Sequence, residues 1–285
     1  MASVRCDGFQ SVCNHRYRFH YSLIGPEYAP VICFLHGFMG NRHAFDRVLP
    51  YLCDRLRCLT VDLPGHGHTQ VYGGSDCYRM APTATALIEL LTQLQIPKCT
   101  LLGYSMGGRL ALYLAVHYPH LFTTVILESA SPGLKTQLER DLRLEQDLQL
   151  ANELETMEFS AFLERWYCNP LFTSLRKHPD FEQLIAQRLT NTPLALAQSL
   201  RQLSTGRQPS LWPQLGTISL PLWLWVGELD PKFTQINTDI LINCRMARLR
   251  IVAHGGHTLH FERHLAFANL IHEAMSDRLC PLEMS

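Results

Sequence analysis

The sequence predicts an α/β protein in which helices flank a mostly parallel central sheet and a helical cap is inserted after the sixth strand. Two observations carry this. Short apolar runs rich in β-branched and aromatic residues alternate with longer amphipathic stretches, the rhythm of strands joined by crossover helices. That rhythm stops near Gly133 and resumes near Gly216, and the stretch between carries only helical patterns.

The strands follow in order. Tyr17–Leu23 alternates in the manner of an edge hairpin. Val31–Leu35, Cys58–Leu63, Thr100–Tyr104, Thr123–Glu128, Leu222–Val226 and Leu249–Ala253 are continuous apolar runs that read as buried strands. Ala81–Leu94, Met106–Val116, Pro231–Ile242 and Phe261–Met275 place apolar residues three and four apart, as helices packed on a sheet do. The helical stretches Leu134–Asn152, Glu158–Tyr167, Asp180–Leu189 and Pro193–Leu203 make up the insertion. A run of that length cannot remain one structureless loop in a compact domain, so it is expected to fold as a lid over a site. The expected organisation is a core of residues 1–133 and 216–285 with a cap of residues 134–215.

Composition excludes several classes. Lysine plus arginine equals aspartate plus glutamate, 25 each, so no basic field exists to draw nucleic acid or anionic lipid. Met1 to Gln10 lacks an apolar core of signal-peptide length and no stretch of about 18 apolar residues occurs, so a soluble cytoplasmic protein without membrane insertion is expected. The ten cysteines, among them Cys33, Cys58, Cys99 and Cys244, are scattered through apolar segments and read as reduced, mostly buried thiols. There is no C-x-x-C, and His254, His257 and His260 lack the i, i+4 spacing of a helical metal site, so neither metal nor cofactor is expected.

The strongest chemical signal is Gly103-Tyr104-Ser105-Met106-Gly107, a G-x-S-x-G between a buried strand and an amphipathic helix. A sharp strand-to-helix turn would expose Ser105 Oγ at the sheet's carboxyl edge, and the two glycines would remove side chains that clash there. A serine hydroxyl is scarcely ionised at neutral pH, so it needs a base, and the base an orienting carboxylate. Leu222 to Asp230 ends a late strand with two carboxylates. Asp230, immediately before the next helix, is preferred over Glu228. Asp62 has the wrong chain order and reads as a structural residue of the turn Pro64–His68. The segment His254–His260 offers three histidines, of which His257, after two glycines that let the loop curl, is the expected base. His36-Gly37-Phe38 ends another strand, so the Phe38 and Met106 N–H groups would converge on one oxygen as an oxyanion hole, with His36 holding the loop. These signals together predict the α/β-hydrolase fold.

The cap carries the more specific likeness. Phe34–Gly40, Gly103–Arg109, Leu127-Glu128-Ser129-Ala130-Ser131-Pro132-Gly133-Leu134, then Arg140 and Arg143, and Trp166 with Pro170-Leu171-Phe172 resemble the 2-succinyl-6-hydroxy-2,4-cyclohexadiene-1-carboxylate synthases (MenH) of menaquinone and phylloquinone biosynthesis. The resemblance implies a lyase that eliminates pyruvate from 2-succinyl-5-enolpyruvyl-6-hydroxy-3-cyclohexene-1-carboxylate without cofactor. It further implies that Arg109, Arg143 and Arg188 occupy carboxylate-binding positions for this tricarboxylate, with Tyr104 and Trp166 lining the pocket. Other readings of these residues are a solvent-reaching Arg109, surface ion pairs at Arg143 and Arg188, and a cap-core aromatic at Trp166. The competing activities are a hydrolase of carboxyl esters or carbon–carbon bonds with the same triad, and a non-catalytic binding protein. The expected partner is the small-molecule substrate alone, with the protein a monomer or small homo-oligomer.

Overall fold

The structure is a computed structural model that describes residues 10–14 and 16–276. The reading of the N-terminal segment therefore lies, apart from Gln10, outside the described residues, as do Cys6 and Cys280. Nine strands form one sheet: β1 (Gln10–Cys13), β2 (Tyr17–Ile24), β3 (Val31–Leu35), β4 (Arg57–Val61), β5 (Gln70–Val71), β6 (Cys99–Tyr104), β7 (Phe122–Glu128), β8 (Leu222–Gly227) and β9 (Ala247–Val252). Their order is β1-β2-β4-β3-β6-β7-β8-β9, with β5 paired to β2 off this path. All pairs from β4 to β9 are parallel, and β2 is antiparallel to β1, β4 and β5.

The period of two along each buried strand divides the apolar residues between two cores, one on each face. Cys33, Leu35, Leu101, Val125, Leu127 and Leu224 join a core with helices α1 (Met80–Gln93) and α2 (Met106–His117). Ile32, Phe34, Leu102, Ile126, Trp223 and Trp225 join the other with Phe267 and Ile271. Both faces are covered, which is why β6 and β8 are buried at every position.

Three expectations for the strands need correction. The helical insertion follows the seventh strand in chain order and not the sixth: the five strands read from the sequence before it are joined by β1 and by β5, two residues long and too short for a hydrophobic pattern. Tyr17–Leu23 is not at the edge, since β2 lies between β1 and β4. The Leu249–Ala253 run is not a buried strand either: β9 is the sheet's last strand and only Ala247 is buried, Ile251 being 53% exposed. Arg248 and Arg250 project their guanidiniums over the Trp223 ring, 5.2 and 5.4 Å from its centroid, which shields that ring in place of a further strand.

Between β7 and β8 lie α3 (Gln137–Thr156), α4 (Phe159–Tyr167), α5 (Thr173–Arg176), α6 (Phe181–Arg188) and α7 (Pro193–Gln202). A capping box opens α3: Thr136 Oγ1 accepts from Glu139 N and Glu139 Oε2 accepts from Thr136 N. Leu154, Phe162, Leu163, Tyr167, Leu175, Leu184, Leu196 and Leu200 form a third core that also takes in Met39 and Phe261, so these helices sit on the loops at the carboxyl ends of the strands. After β8 come α8 (Pro231–Asn243), then α9 (Leu259–Glu262) and α10 (His264–Ser276). The expected Phe261–Met275 helix is thus two helices, broken at Arg263, whose φ of −134° is not helical.

The chain passes from β3 to β4 on one side and returns to β6 on the other, so the strand order reverses between β3 and β6. A crevice opens at such a point, at the carboxyl ends of the strands. The loop after β3 and the turn after β6 flank it.

Candidate active site

Ser105 forms the turn from β6 into α2 with φ 48° and ψ −106°, a conformation that L-residues rarely adopt. Its N–H donates to Glu128 O at 2.8 Å. The glycines of the motif are required by space. A Cβ at Gly103 would meet the Gly107 carbonyl, and one at Gly107 would meet the carbonyls of Leu35 and His36. The helix therefore sits directly against the two strands that flank the crevice.

His257 Nε2 stands 3.4 Å from Ser105 Oγ, and its Nδ1 is 2.7 Å from Asp230 Oδ2. Both partners of the second contact are nearly inaccessible, at 2% and 1% side-chain exposure. Asp230 Oδ1 accepts from Phe233 N at 3.1 Å, which fixes the carboxylate at the start of α8. Glu228 faces solvent and accepts from His254 N, so of the two carboxylates it is Asp230 that touches His257. The two glycines expected to let this loop curl have no positive φ. The left-handed residue of this loop is His254, at φ 56°, and the glycines are needed for room: Gly255 packs on Leu259, and Gly256 against Ser174 and the Glu262 carboxylate.

His36 Nε2 accepts from Leu63 N at 3.0 Å and Nδ1 donates to Gly37 O at 2.7 Å, so the ring is a neutral strut and burial lowers its pKa well below the usual histidine range. Asp62 accepts from the backbone of Arg42 and His68 and pairs with the Arg42 guanidinium at 3.1 Å, a wholly structural set of partners.

A cavity of about 750 Å³ opens above these groups, a volume suited to a small organic ligand. Ser105, His257 and Asp230 line it, as do Phe38 and Met106, the first residue of α2. Arg109, Arg143 and Trp166 line it too. Arg109 does not run out to solvent: its guanidinium donates to Gln208 Oε1 at 2.9 Å and Leu203 O at 3.0 Å. Burial, with Arg143 nearby, pulls its pKa down to about 10, against the opposing charge of Asp147. Arg143 Nε donates to Asp147 Oδ1 at 2.8 Å, and the almost inaccessible Asp147 also accepts from Ser204 Oγ. Trp166 packs on Phe38, ring centroids 5.4 Å apart.

Two of the expected pocket residues do not line this cavity. Tyr104 is buried beneath Gly37, with its hydroxyl 2.9 Å from Thr258 Oγ1 and its ring beside His257. Arg188, the last residue of α6, is buried with Nε donating to Tyr167 Oη at 3.1 Å, in electrostatic reach of His36, His66 and Tyr104; its Nη1 has no partner among the described residues. Phe38 and Trp166 line the cavity, and the Phe38 ring also contacts His66, one of the groups in electrostatic reach of Arg188. Spacing along an element does not say whether a side chain ends in a cavity or in the packing behind it.

The sequence reads His260 as a helix-start or supporting group, and it stands in α9, but its partner and several other residues escaped sequence reasoning. Glu128 and His260 form a buried pair beneath the turn, with both carboxylate oxygens 2.8 Å from His260 Nδ1. Glu262, Ser204, Gln208 and Asp147 complete the supports. Only Asp147, four residues after Arg143 on α3, carried a readable signal, the spacing of a helical ion pair. Among the described residues, no group of three or more His, Cys, Asp or Glu could hold a metal ion, and no helix is long and apolar enough to cross a membrane.

With its strained serine turn, reversed strand order and helices on both faces, the chain belongs to the α/β-hydrolase fold family, which its residues 30–264 match. It shares 35% identity over 241 residues, 84% of this chain and 90% of the other, with the 2-succinyl-6-hydroxy-2,4-cyclohexadiene-1-carboxylate synthase of Serratia proteamaculans. The solved structure of MenH from S. aureus superposes with a TM-score of 0.86 at 31% identity, covering 94% of this chain and 100% of that one. Within the fold family, the chain is a member of the MenH family. The chloroplastic protein PHYLLO of Arabidopsis thaliana is 34% identical over 247 residues, 81% of this chain and 14% of that much longer protein.

Proposed function

We propose that this protein eliminates pyruvate from 2-succinyl-5-enolpyruvyl-6-hydroxy-3-cyclohexene-1-carboxylate, giving 2-succinyl-6-hydroxy-2,4-cyclohexadiene-1-carboxylate on the route to menaquinone or phylloquinone. The observation that carries this reading is one cavity in which Ser105 and His257 face two guanidiniums, Arg109 and Arg143. A hydrolase for apolar esters has no use for inward cations, which cost desolvation energy. A tricarboxylate offsets that cost through charge-assisted hydrogen bonds.

The chemistry follows from the groups present. The proton at C2 of the ring is acidic because its removal gives an enolate of the succinyl ketone. Ser105, with His257 drawing its proton and Asp230 holding the imidazole, takes that proton. The enolate oxygen lies toward the Phe38 and Met106 N–H groups, and the positive end of α2 favours the charge. Electrons then move through the ring alkene, the C5–O bond breaks, and the enolpyruvyl group leaves and is protonated to pyruvate. No water is consumed. Residues 134–215 act as the cap that supplies Arg143 and Trp166, and the enzyme works in the cytoplasm on a small molecule, with no metal or organic cofactor.

The test is an elimination assay on enzymatically generated substrate, following pyruvate release and the diene absorbance together. Serine-dependent acceleration of both, lost in Ser105→Ala and His257→Ala, is the expected result. Turnover of activated esters with no acceleration of the elimination would overturn the reading.

A further inference from the structure

The loop bearing His257 is held from below by a carboxylate that no catalytic role requires. Glu262, the last residue of α9, accepts from Gly256 N through Oε2 at 3.1 Å and from Thr258 N through Oε1 at 3.0 Å. These are the two peptide N–H groups on either side of His257. A third donor reaches the same carboxylate from the helical segment between β7 and β8: the hydroxyl of Ser174, on α5. Gly256 is glycine because any side chain there would run into both Ser174 and Glu262.

We propose that Glu262 is a positioning residue for His257, and that Ser174 couples the helical segment over the cavity to the base through it. The inference rests on His257 acting as the base. The physical argument is one of geometry. His257 Nε2 lies at the long end of hydrogen-bonding distance from Ser105 Oγ, 3.4 Å, so a small change of loop height makes or breaks the contact that activates the serine. Asp230 sets the ring's tautomer and rotation through Nδ1. It cannot set the height of the backbone. The bridged pair of N–H groups does, because two bonds to one rigid carboxylate fix both the position and the tilt of the intervening residue. Burial raises the Glu262 pKa and the Glu128 charge adds to this, while the three donors oppose it, so the charged form depends on the loop and Ser174 being in place. Phe172, immediately before α5 and in ring contact with His257 at 5.8 Å, gives the same segment a second touch on the base.

The experiment compares Glu262→Gln, Ser174→Ala and the double variant in the full chain, with folding checked by circular dichroism and Tm. Glutamine keeps size and one acceptor but turns an NH2 toward one of the two backbone donors, so one bond of the bridge is lost. Reaction of Ser105 with a fluorophosphonate reads the serine–histidine contact without any natural substrate. It should slow about tenfold in Glu262→Gln, the scale expected for sub-ångström misplacement. Elimination should show the same fall in kcat with KM unchanged. The downfield proton resonance of His257 Nδ1–H should broaden or shift, which loss of stability elsewhere would not cause. Ser174→Ala should slow labelling about two- to fivefold, and add nothing in the Glu262→Gln background if it acts through that carboxylate. A folded Glu262→Gln with wild-type labelling rate and an unchanged His257 resonance overturns the proposal. Additive effects in the double variant overturn the coupling. The labelling and the resonance decide this even if the elimination assay rejects the proposed substrate, so the two readings fail separately.

Discussion

Replacing Arg143 by alanine separates recognition from chemistry. Its bond to Asp147 uses Nε alone, which leaves both Nη groups for a substrate carboxylate in the cavity that Arg143 lines. A hydrogen bond to a charged partner contributes about 1.5–3 kcal/mol, and each 1.36 kcal/mol is a factor of ten, so KM should rise about 10- to 150-fold. Because the carboxylate is held alike in ground and transition state, kcat should change little. The variant also leaves Asp147, whose side chain is 1% exposed, with Ser204 as its remaining hydrogen-bond partner, and so should lower Tm. Arg143→Ala/Asp147→Asn should recover the Tm and leave KM high. Steady-state elimination kinetics with thermal melts distinguish these. A wild-type KM in folded Arg143→Ala would refute the view that this guanidinium meets the substrate.

Other outcomes follow from the same geometry. Asp230→Asn keeps an oxygen for Phe233 N but presents an NH2 to His257 Nδ1, forcing the wrong tautomer. Its kcat should fall on the order of 10³-fold or more with Tm nearly unchanged, and a loss under tenfold would count against Asp230 as the orienting group. His66 is buried and its pKa is lowered from 6.5 to about 4, so the unfolded chain takes up a proton below pH 6.5 that the folded protein refuses until about pH 4. Stability should therefore fall as pH drops through that window, by ~3 kcal/mol from this group. Urea titrations at pH 6.5 and 4 should show a smaller loss in His66→Phe, and an equal loss would mean that other groups, such as His36, carry it.

What could be read in the sequence was local. The serine turn is written in five consecutive residues because the clash that demands glycine at 103 and 107 involves the immediate strand and helix. Asp230 and His257 could be placed because each directly follows a strand whose carboxyl end faces the crevice. The hydrogen bonds between distant segments could not be read. Glu128 and His260 stand 132 residues apart, and no periodicity links a strand-end carboxylate to a histidine at the start of a later helix. Whether Tyr104 and Arg188 line the cavity or pack behind it depends on how the elements meet in three dimensions, which a pattern of apolar residues leaves open. The exposed β9 misled for the opposite reason: its apolar and β-branched content is that of a central strand, but arginines take the place of a neighbour.

The parallel pair β7–β8 obliges the chain to travel back along the sheet, and residues 129–221 make that return. Closing a connection costs entropy that grows only with the logarithm of its length, about 0.6 kcal/mol for each doubling. A minimal crossover helix could therefore lengthen into five helices with little penalty to the sheet. Natural variation can thus rewrite what the cavity accepts within one contiguous stretch of coding sequence, while Ser105, Asp230 and His257, placed by strands outside it, stay where they are.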